Sequence, residues 1–290
     1  MSLSDLREHS TVAAQGWTWG SLRPARIAAA LAGDFRDLHR YRHVLRNFVV
    51  SQLKVRYQRS VLGFFWTLLN PILMLLVLYA VFSRIVNIPN YAGYLLGGMI
   101  PWQFFSASVV NGSRSLITQE YLIRKVSVQK MVFPLSEVLV AGVNMCFAMA
   151  ALFIILMFFQ PMLRVQLVLL PAGAVLLLMF SLGVALISMT LVTRFRDFEH
   201  MIDIFLQAFY FVCPILYKPE NLNNATFERA MRFNPMTHLL AIFQDALYCD
   251  AAPAWPTLTN WMMAGGSAVL SLVIGYAVYK FYENDYIFQL

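Results

Sequence analysis

Charged residues are missing from six long stretches of this sequence. Asp, Glu, Lys and Arg make up 13% of its 290 residues, whereas soluble domains average about 25%. The charge-free stretches lie at about 62–83, 92–113, 138–160, 165–192, 204–217 and 260–279. Because about 20 apolar residues cross the ~30 Å hydrocarbon core of a bilayer as a helix, the sequence predicts an all-α integral membrane protein with six transmembrane helices.

Groups that couple transport to ions are also missing from the centres of these stretches. They hold no carboxylate chain, no arginine–aspartate pair and no histidine relay, which proton- or sodium-coupled carriers usually need. Glu137 and Asp203 lie near the ends of predicted spans, where water can reach them. The sequence has no GxxxxGK[ST] phosphate loop either. Energy for uphill transport would therefore come from a partner.

Residue patterns typical of disulfides, catalytic sites and metal sites are equally sparse. The three cysteines form no CxxC pair, and they predict no disulfide framework. No nucleophile–base pair, carboxylate dyad or metal cluster recurs at usable spacing, so we predict no catalytic, cofactor-binding or metal residues in this chain. A membrane enzyme, such as an acyl or glycosyl transferase, remains a weaker alternative.

Basic residues are present, and their distribution predicts an orientation. Residues 1–60 hold ten of the lysines and arginines, and the remainder favour alternate loops. The positive-inside rule then places both termini in the cytoplasm. The net charge of +7 indicates a basic face against anionic membrane lipid rather than binding of nucleic acid. A basic binding protein with a membrane anchor would not need six spans.

Residues 1–60 predict a cytoplasmic arm followed by an amphipathic interfacial helix. From residue 26 onward, apolar side chains recur at 3-4 spacing while basic side chains project elsewhere, as in helices that lie in the membrane interface. Two functions remain open for this helix. It anchors the chain, or it also borders a cytoplasmic entrance where a substrate bearing phosphate would meet arginines.

Two loops between the predicted spans carry structure of their own. Residues 114–134 predict a short amphipathic cytoplasmic helix, which suits docking of a soluble motor, although an ordinary loop is the alternative. Residues 228–250 are too apolar for a free loop, and Phe233–Met236 breaks them before a second half-helix at 237–247. This pattern favours a re-entrant helix pair lining a cavity or gate. An amphipathic helix on the outer surface is the alternative.

Four motifs, in order across residues 45–280, resemble type-2 ATP-binding-cassette permeases that export polysaccharides. They are Lys54–Trp66 followed by Leu69-Asn70-Pro71, Leu122–Val126 with Phe133–Ser136, Arg194-Phe195-Arg196-Asp197, and Asn234–His238. The family pattern often has an aromatic residue and a proline before the basic residue, where this chain has Ser127, Val128 and Gln129.

The resemblance implies an architecture and partners. Such permeases are homodimers with six spans in each half, and they bind two copies of a cytosolic ATPase that holds the ATP and Mg. Residues 114–130 would be the coupling helix, with Glu120, Arg124 and Lys125 contacting the motor. Residues 228–250 would form the outer gate, with Asn234, Pro235 and His238. These elements belong to a transmembrane permease domain at 61–290.

The resemblance also implies a substrate, a lipid-linked polysaccharide such as undecaprenyl-diphosphate-linked O antigen. Arg46, Arg56 and Arg59 are the candidates for its diphosphate headgroup at the entrance. A long polar polymer needs a wide path, which two subunits about a two-fold axis can enclose. Aromatic faces bind sugar C–H surfaces without fixing one register, although aromatic belts are common in all membrane proteins. The candidate pore-lining residues are Phe64, Phe65, Trp66, Phe205, Phe209, Tyr210 and Tyr217.

Together these observations predict a multi-pass permease in the bacterial inner membrane. The chain would export lipid-linked polysaccharide with ATP hydrolysed by a separate subunit. A capsule or teichoic polymer, a drug or a simple lipid remain alternative substrates.

Overall fold

The computed structural model describes residues 33–34, 36, 41–58, 65–84, 88, 91–125, 129–159, 165–219, 225–247, 256–283 and 285–286. These residues are helical or lie in turns, with no strand among them, which confirms the predicted all-α class. A short 3-10 turn, Val165–Val168, leads into α6. The helices are α1 Arg42–Tyr57, α2 Phe65–Phe82, α3 Tyr91–Thr118, α4 Glu120–Lys125, α5 Val132–Phe159, α6 Leu169–Arg194, α7 Phe198–Val212, α8 Ala225–Phe233, α9 Pro235–Leu247 and α10 Leu258–Tyr282.

Three helical segments of the described chain are long and apolar enough to cross a membrane. They are Val132–Phe153, Gln166–Arg194 and Leu258–Tyr282, and they coincide with three of the charge-free stretches. The membrane-spanning character of the chain is therefore confirmed. Helices α2, α3 and α7 overlap the other three stretches, and their role as spans stays a prediction.

Helices α6 and α10 cross at two glycines. A Cβ atom at Gly275 would lie 2.2 Å from the carbonyl oxygen of Gly183, and one at Gly183 would lie 2.3 Å from the carbonyl of Ser271. The Ser271 hydroxyl donates across the same contact to the carbonyl of Phe180 at 3.0 Å. Small residues permit such backbone contact between membrane helices, where packing replaces the hydrophobic effect.

Helix α3 lies at the centre of the bundle, against α5, α6 and α9. A Cβ atom at Gly112 would be 2.9 Å from Cβ of Ala185 in α6. One at Gly97 would be 3.0 Å from Cα of Gln244 in α9. The buried Pro101 lies within α3, where the missing N–H leaves one carbonyl without its helical partner.

The bundle has two chemically different ends. At the first, the α4 end, Arg114 near the end of α3 meets Asp203 early in α7, and Thr190 late in α6 meets Tyr286 after α10. At the second, the α9 end, the start of α3 contacts the turn after α7, and α9 contacts the start of α10. Charged contacts concentrate at the α4 end, so the predicted cytoplasmic loops lie together there.

Helix α7 differs from its predicted stretch at 204–217. It begins earlier, at Phe198, and ends at Val212. Cys213 is extended, with φ −76° and ψ 144°, because the following Pro214 disfavours helical backbone at the residue before it. Residues 213–217 therefore form a turn at the α9 end, not the last turn of a span.

Candidate translocation face and coupling elements

Helix α1 lies with its apolar face on the start of α5. The rings of Phe48 and Phe133 meet edge to face at 5.6 Å, and Gln52 donates to Glu137 at 2.7 Å. This hydrogen bond gives the half-buried Glu137 a protein partner where the sequence predicted only water. The apolar residues at 3-4 spacing thus pack on α5 within the chain, while the predicted position of this helix in the membrane interface stays a prediction.

The candidate headgroup residues of α1 lie at different angles to this packed face, with Arg46 roughly opposite Phe48 and Arg56 one helical turn after Gln52. Arg46 and Arg56 are both exposed, while Arg59 lies outside the described residues. Basic side chains on an interfacial helix can reach lipid phosphates or a phosphorylated substrate.

Helix α4 is shorter than the predicted coupling segment at 114–130. Residues 114–118 are the last part of α3, Gln119 forms a turn, and α4 spans Glu120–Lys125. Residues 126–128 lie outside the described chain. The predicted helix is therefore two pieces, since α3 runs on to Thr118 without a break.

The candidate motor-contact residues share the short helix α4, which contains no buried residue. Glu120 pairs with Arg124 at 2.8 Å, one turn later, and Lys125 lies against the ring and hydroxyl of Tyr121. Leu122 and Ile123 pack against the core. The helix is thus held by one apolar side and presents charge outward, a suitable geometry for docking another protein.

Helices α2 and α7 both leave apolar side chains uncovered in the single chain, and we call these residues the α2–α7 face. Leu206 is the one buried residue of α7. Its exposed apolar residues are Met201, Ile204, Phe205, Phe211 and Val212, and those of α2 are Leu73, Met74, Leu76, Val77, Tyr79 and Val81. A face of this size is covered by lipid or by protein in the membrane.

Aromatic residues line this α2–α7 face. Phe205 stacks on Phe209 at 5.5 Å between ring centroids, and Trp102 of α3 lies 5.7 Å from both Phe209 and Tyr210. The structure thus brings together three of the candidate pore-lining residues. Phe64 lies outside the described residues, as do the side chains of Phe65 and Trp66.

Tyr217, the remaining pore candidate, caps helix α7. Its hydroxyl lies 2.9 Å from the carbonyl oxygen of Phe211 and 3.2 Å from that of Val212. These carbonyls have no helical partner at the end of α7. Tyr217 therefore closes the end of the helix with its hydroxyl, while its half-buried ring contacts Phe227 at 6.3 Å.

A cavity of about 590 Å³ opens between α2, α3 and α7. Its volume falls within the usual range for ligand pockets, about 300–1,000 Å³. Tyr210 lines it and carries a hydroxyl without a hydrogen-bond partner among the described residues. The full lining is Met74, Met99, Trp102, Gln103, Ser106, Val110, Asp203, Leu206, Gln207, Tyr210 and Phe211.

The polar groups of this cavity suit a neutral ligand. Asp203 is already paired with Arg114 at 2.6 Å, and Arg114 also lies 3.1 Å from Glu199. The described lining contains no lysine or arginine, so uncharged Gln103 and Gln207 supply donors and acceptors beside aromatic rings. Amides next to aromatic faces can bind hydroxyl groups and C–H surfaces together.

Buried side chains form hydrogen bonds to the turn that follows α7 and hold it in place. The Tyr94 hydroxyl lies 2.9 Å from the carbonyl oxygens of both Pro214 and Tyr217, and Tyr91 donates to Leu216 at 2.7 Å. Gln244 of α9 donates to Pro214 at 2.8 Å. Since the turn has no helical partners, these side chains satisfy carbonyls that would otherwise be buried and unpaired.

The three candidate gate residues join helices at the α9 end. Asn234 accepts from the backbone N–H of Met236 at 3.0 Å, so it caps α9 with Pro235 at the first helical position. Buried His238 contacts the carbonyl of Arg232 at 2.8 Å and the side chain of Asn260 at 3.0 Å. Side-chain hydrogen bonds thus hold the break between α8 and α9, which we call the α8–α9 corner. Helix α9 packs inside the bundle.

Several residues of this face were missed from the sequence. Gln103 and Ser106 of α3 lie three positions apart, while the missed Gln207 of α7 recurs at 3-4 spacing with Asp203 and the predicted Tyr210. Polar residues repeating on one face of an apolar helix predict a lined cavity, so this signal was available. Tyr94 and Gln244 gave no such signal. Among the described residues, no group of His, Cys, Asp and Glu could hold a metal ion.

Comparison with known proteins identifies the family. The ABC-2 type transporter family profile matches residues 44–248. The O-antigen export system permease protein RfbA of Myxococcus xanthus is 30% identical over 253 residues, covering 86% of this chain and 95% of that protein. An RfbA of Klebsiella pneumoniae is 30% identical over 198 residues, covering 67% and 76%.

A relative with a different named cargo also matches. The polysialic acid transport protein KpsM of Escherichia coli is 24% identical over 247 residues, covering 81% of this chain and 92% of that protein. The family profile covers α1 from its third residue onward, α4 and the α8–α9 corner, while α10 lies beyond the matched region. This chain belongs to the ABC-2 type transporter family.

Proposed function

We propose that this chain is the membrane permease of an ABC transporter that exports a lipid-linked polysaccharide across the bacterial inner membrane. The substrate we favour is undecaprenyl-diphosphate-linked O antigen. Two relatives named as O-antigen export permeases support this choice, one of them over 86% of the chain.

The observation that carries the proposal is the uncovered α2–α7 face around its cavity. Gln207 is exposed and Asp203 half-buried on a helix that is otherwise largely apolar. Polar groups in membrane helices face protein or water-filled cavities, because lipid cannot satisfy them. A second copy of the chain across this face would enclose the cavity and aromatic row about a two-fold axis. The homodimeric pore we propose follows from that placement.

The proposed topology has six spans, with α2, α3 and α7 added to the three apolar segments. The α4 end is cytoplasmic, because basic residues concentrate in the loops that meet there. Residues 1–60 then form the cytoplasmic arm and interfacial helix, and 61–290 form the permease domain. Within it, the α8–α9 pair re-enters the membrane from the outside and forms the outer gate.

Energy comes from a separate subunit in this proposal. Permeases of this family work with a partner ATPase, and two copies would bind the dimer. Helix α4 would seat on the motor through Glu120, Arg124 and Lys125, whose charges project from the bundle. ATP and Mg would be bound by the motor, and this chain would convert motor closure into widening of the pore.

The substrate would be recognised at two sites in this chain. The exposed arginines of α1 at positions 46 and 56, with Arg59, would meet the diphosphate headgroup at the entrance. Neutral sugars would pass along Phe205, Phe209, Tyr210 and the cavity. This division follows from charge, since the described cavity lining has no cation while α1 carries several.

Capsular polysaccharide is the second candidate substrate. The match to a polysialic acid transport protein over 81% of this chain favours it over a drug or simple lipid. Polysialic acid is anionic, so it fits a described lining that contains Asp203 and no lysine or arginine less well than a neutral glycan does. A teichoic polymer would meet the same mismatch through its phosphates.

Deletion of the gene tests the proposed function. We expect full-length lipid-linked glycan to accumulate inside the cell and to vanish from the surface, as seen by fractionation and lectin or antibody staining. Wild-type chain supplied in trans should restore the surface glycan. Normal surface glycan in the deletion strain would contradict polysaccharide export and leave a drug or lipid as the cargo.

A further inference from the structure

Four charged residues from distant parts of the chain meet at the α4 end of the bundle. We call Asp34, Lys130, Lys280 and Glu283 the ion cluster. The Lys280 ammonium lies 3.2 Å from the Asp34 carboxylate and 2.7 Å from that of Glu283. Lys130 donates to the main-chain carbonyl of Glu283. The formal charges balance, which is how charged side chains remain buried.

Tyrosines surround the ion cluster and complete its hydrogen bonds. Tyr276 donates to Asp34 at 2.6 Å, and Tyr279 donates to Glu283 at 3.0 Å. Lys130 lies 5.7 Å from the ring centre of Tyr286, whose hydroxyl is 2.6 Å from that of Thr190 in α6. All three tyrosines are fully buried. The cluster is therefore an ordered part of the core and not a set of surface ion pairs.

The side chains of the cluster are largely shielded from solvent. Lys130 is 9% exposed, and the side chains of Lys280 and Asp34 are 19% and 18% exposed. Burial lowers the pKa of Lys130, and the charge of Glu283 acts against that shift. Breaking a buried charge pair leaves its partner without compensation, so these segments are expected to move together.

The ion cluster connects the segment that follows the motor-contact helix α4 to distant parts of the chain. Lys130 lies on the connector from α4 to α5, five positions after Lys125, the last of the proposed motor-contact residues. Its partner Glu283 follows α10, and Asp34 precedes α1. The contacts join residues 153 and 246 positions apart in sequence. A displacement of α4 that moves Lys130 would therefore also act on α10 and on the segment before α1 through these contacts.

We propose that the ion cluster is a coupling clamp, which makes the α4–α5 connector, the end of α10 and the segment before α1 move as one body during the ATP-driven step. The proposal rests on the proposed function above. Lys130 is its positioning residue, because it is the member that joins the connector to the others. The clamp would deliver motor movement to the entrance helix α1 and to α10 at once.

The first test measures movement in the complex of full-length chain and ATPase. Spin labels are placed at Tyr121→Cys in α4 and Asp285→Cys beyond α10, with Cys146, Cys213 and Cys249 replaced by Ser. Their spacing should be equal in nucleotide-free and nucleotide-trapped complexes. In Lys130→Met, which keeps the apolar stem, the spacing should change with nucleotide. Equal spacing in both states of Lys130→Met would overturn the clamp.

The second test measures coupling. In proteoliposomes, Lys130→Met should hydrolyse ATP while consuming about tenfold more ATP per exported glycan, within the usual range of coupling between sites. Lys130→Arg should restore the ratio, and the exposed Lys54→Met should leave it unchanged. If hydrolysis, export and thermal stability fall together, Lys130 is only structural and the clamp is wrong.

These two readouts separate the clamp from the proposed function. If the wild-type complex exports no glycan, the proposed function fails while the label spacing still decides whether the cluster moves as one body. If export is normal and Lys130→Met keeps the wild-type ratio, the clamp fails while the proposed function stands.

Discussion

At the scale of single residues, two glycines decide how closely α6 and α10 approach. Any side chain at Gly275 would enter the space of the Gly183 carbonyl, at 2.2 Å from its oxygen. Backbone cannot yield as a flexible side chain can, so the helices would have to separate. In a bundle held largely by packing, separation removes contacts along the whole pair.

Gly275→Ala is therefore expected to destabilise the protein by about 1–3 kcal/mol or more, the usual cost of overpacking a core. The measurement is thermal unfolding of the purified chain, followed by its own tryptophan fluorescence. Gly265→Ala and Gly266→Ala in the same helix are matched controls, because nothing lies within 4 Å of a Cβ atom at either position. Equal melting temperatures for all three variants would contradict the crossing.

Asn234 is the second residue whose identity the structure explains. Its side-chain oxygen caps α9 at the corner with α8. Asn234→Ala should cost about 1 kcal/mol, as loss of a helix N-cap usually does. Asn234→Asp keeps the accepting oxygen and should retain most of that stability in the same unfolding measurement. An equal loss in Asp and Ala would show that the hydrogen bond from the Asn234 amide to the Sγ of Cys213, which lies 3.6 Å away and is lost in both variants, matters at this corner more than the cap.

Sequence patterns predicted residues whose roles are local and missed those whose partners are distant. The exposed charges of α1 and α4 follow from spacing along one helix, and so does the Asn-Pro start of α9. Gly183 and Gly275 were not predicted, because the contact depends on which helices become neighbours. The ion cluster was missed for the same reason. Asp34 meets Lys280 only after the bundle has formed.

At the scale of elements, α4 is the exposed helix that would contact the ATPase and transmit its movement in the proposed transport cycle. Replacing Arg124 and Lys125 by Glu should uncouple ATP hydrolysis from export while the protein still folds. Folding should survive because the Arg124–Glu120 pair lies on the surface, and such pairs contribute only about 0–1 kcal/mol. Export and ATPase activity of the reconstituted complex are measured together with its melting temperature.

Arg196→Glu is a suitable control for this variant, since Arg196 is another exposed cation at the same end of the bundle. It should leave ATP consumption per exported glycan near that of the wild type. Normal export by the Arg124 and Lys125 variant would remove α4 from the motor contact.

Helix α1 is the second element with a function of its own. Replacing Arg46 and Arg56 by Ala should weaken the stimulation of ATP hydrolysis by lipid-linked glycan, because two charges leave the proposed headgroup site. Basal hydrolysis without glycan should be unchanged. The matched variant Lys54→Ala removes an exposed charge from the same helix and should retain stimulation. If lipid-linked glycan stimulates ATP hydrolysis fully in the Arg46 and Arg56 double variant, α1 only anchors the chain.

The boundaries of elements were predictable only where a local signal ended them. Pro214 predicts the end of α7, since a residue before proline avoids helical backbone. Apolarity alone had extended that stretch to residue 217. No glycine or proline separates α3 from α4, so the turn at Gln119 could not be predicted from the sequence. The core position of α9, packed against α3, α6 and α10, likewise depends on tertiary contacts.

At the scale of the whole molecule, the two ends of the bundle have different chemistry. The Arg114 ion pairs and the ion cluster with its three buried tyrosines occupy the α4 end. The hydrogen bonds of Tyr94, Gln244 and His238 and the exposed Arg232–Glu228 pair occupy the α9 end. The open α2–α7 face runs between these ends. A path along it would connect the arginines of α1 to the corner of α8 and α9. Membrane-spanning character and fold class were predictable from hydropathy, because they depend on composition along each segment.

The most direct measurement is export by purified components. The chain and its partner ATPase are reconstituted in proteoliposomes with lipid-linked glycan, and glycan on the far side is quantified by its protection from added glycosidase. We expect ATP to produce protected glycan, with none formed in liposomes that lack either subunit or receive a non-hydrolysable ATP analogue. Protected glycan that appears equally without ATP or without this chain would contradict the account.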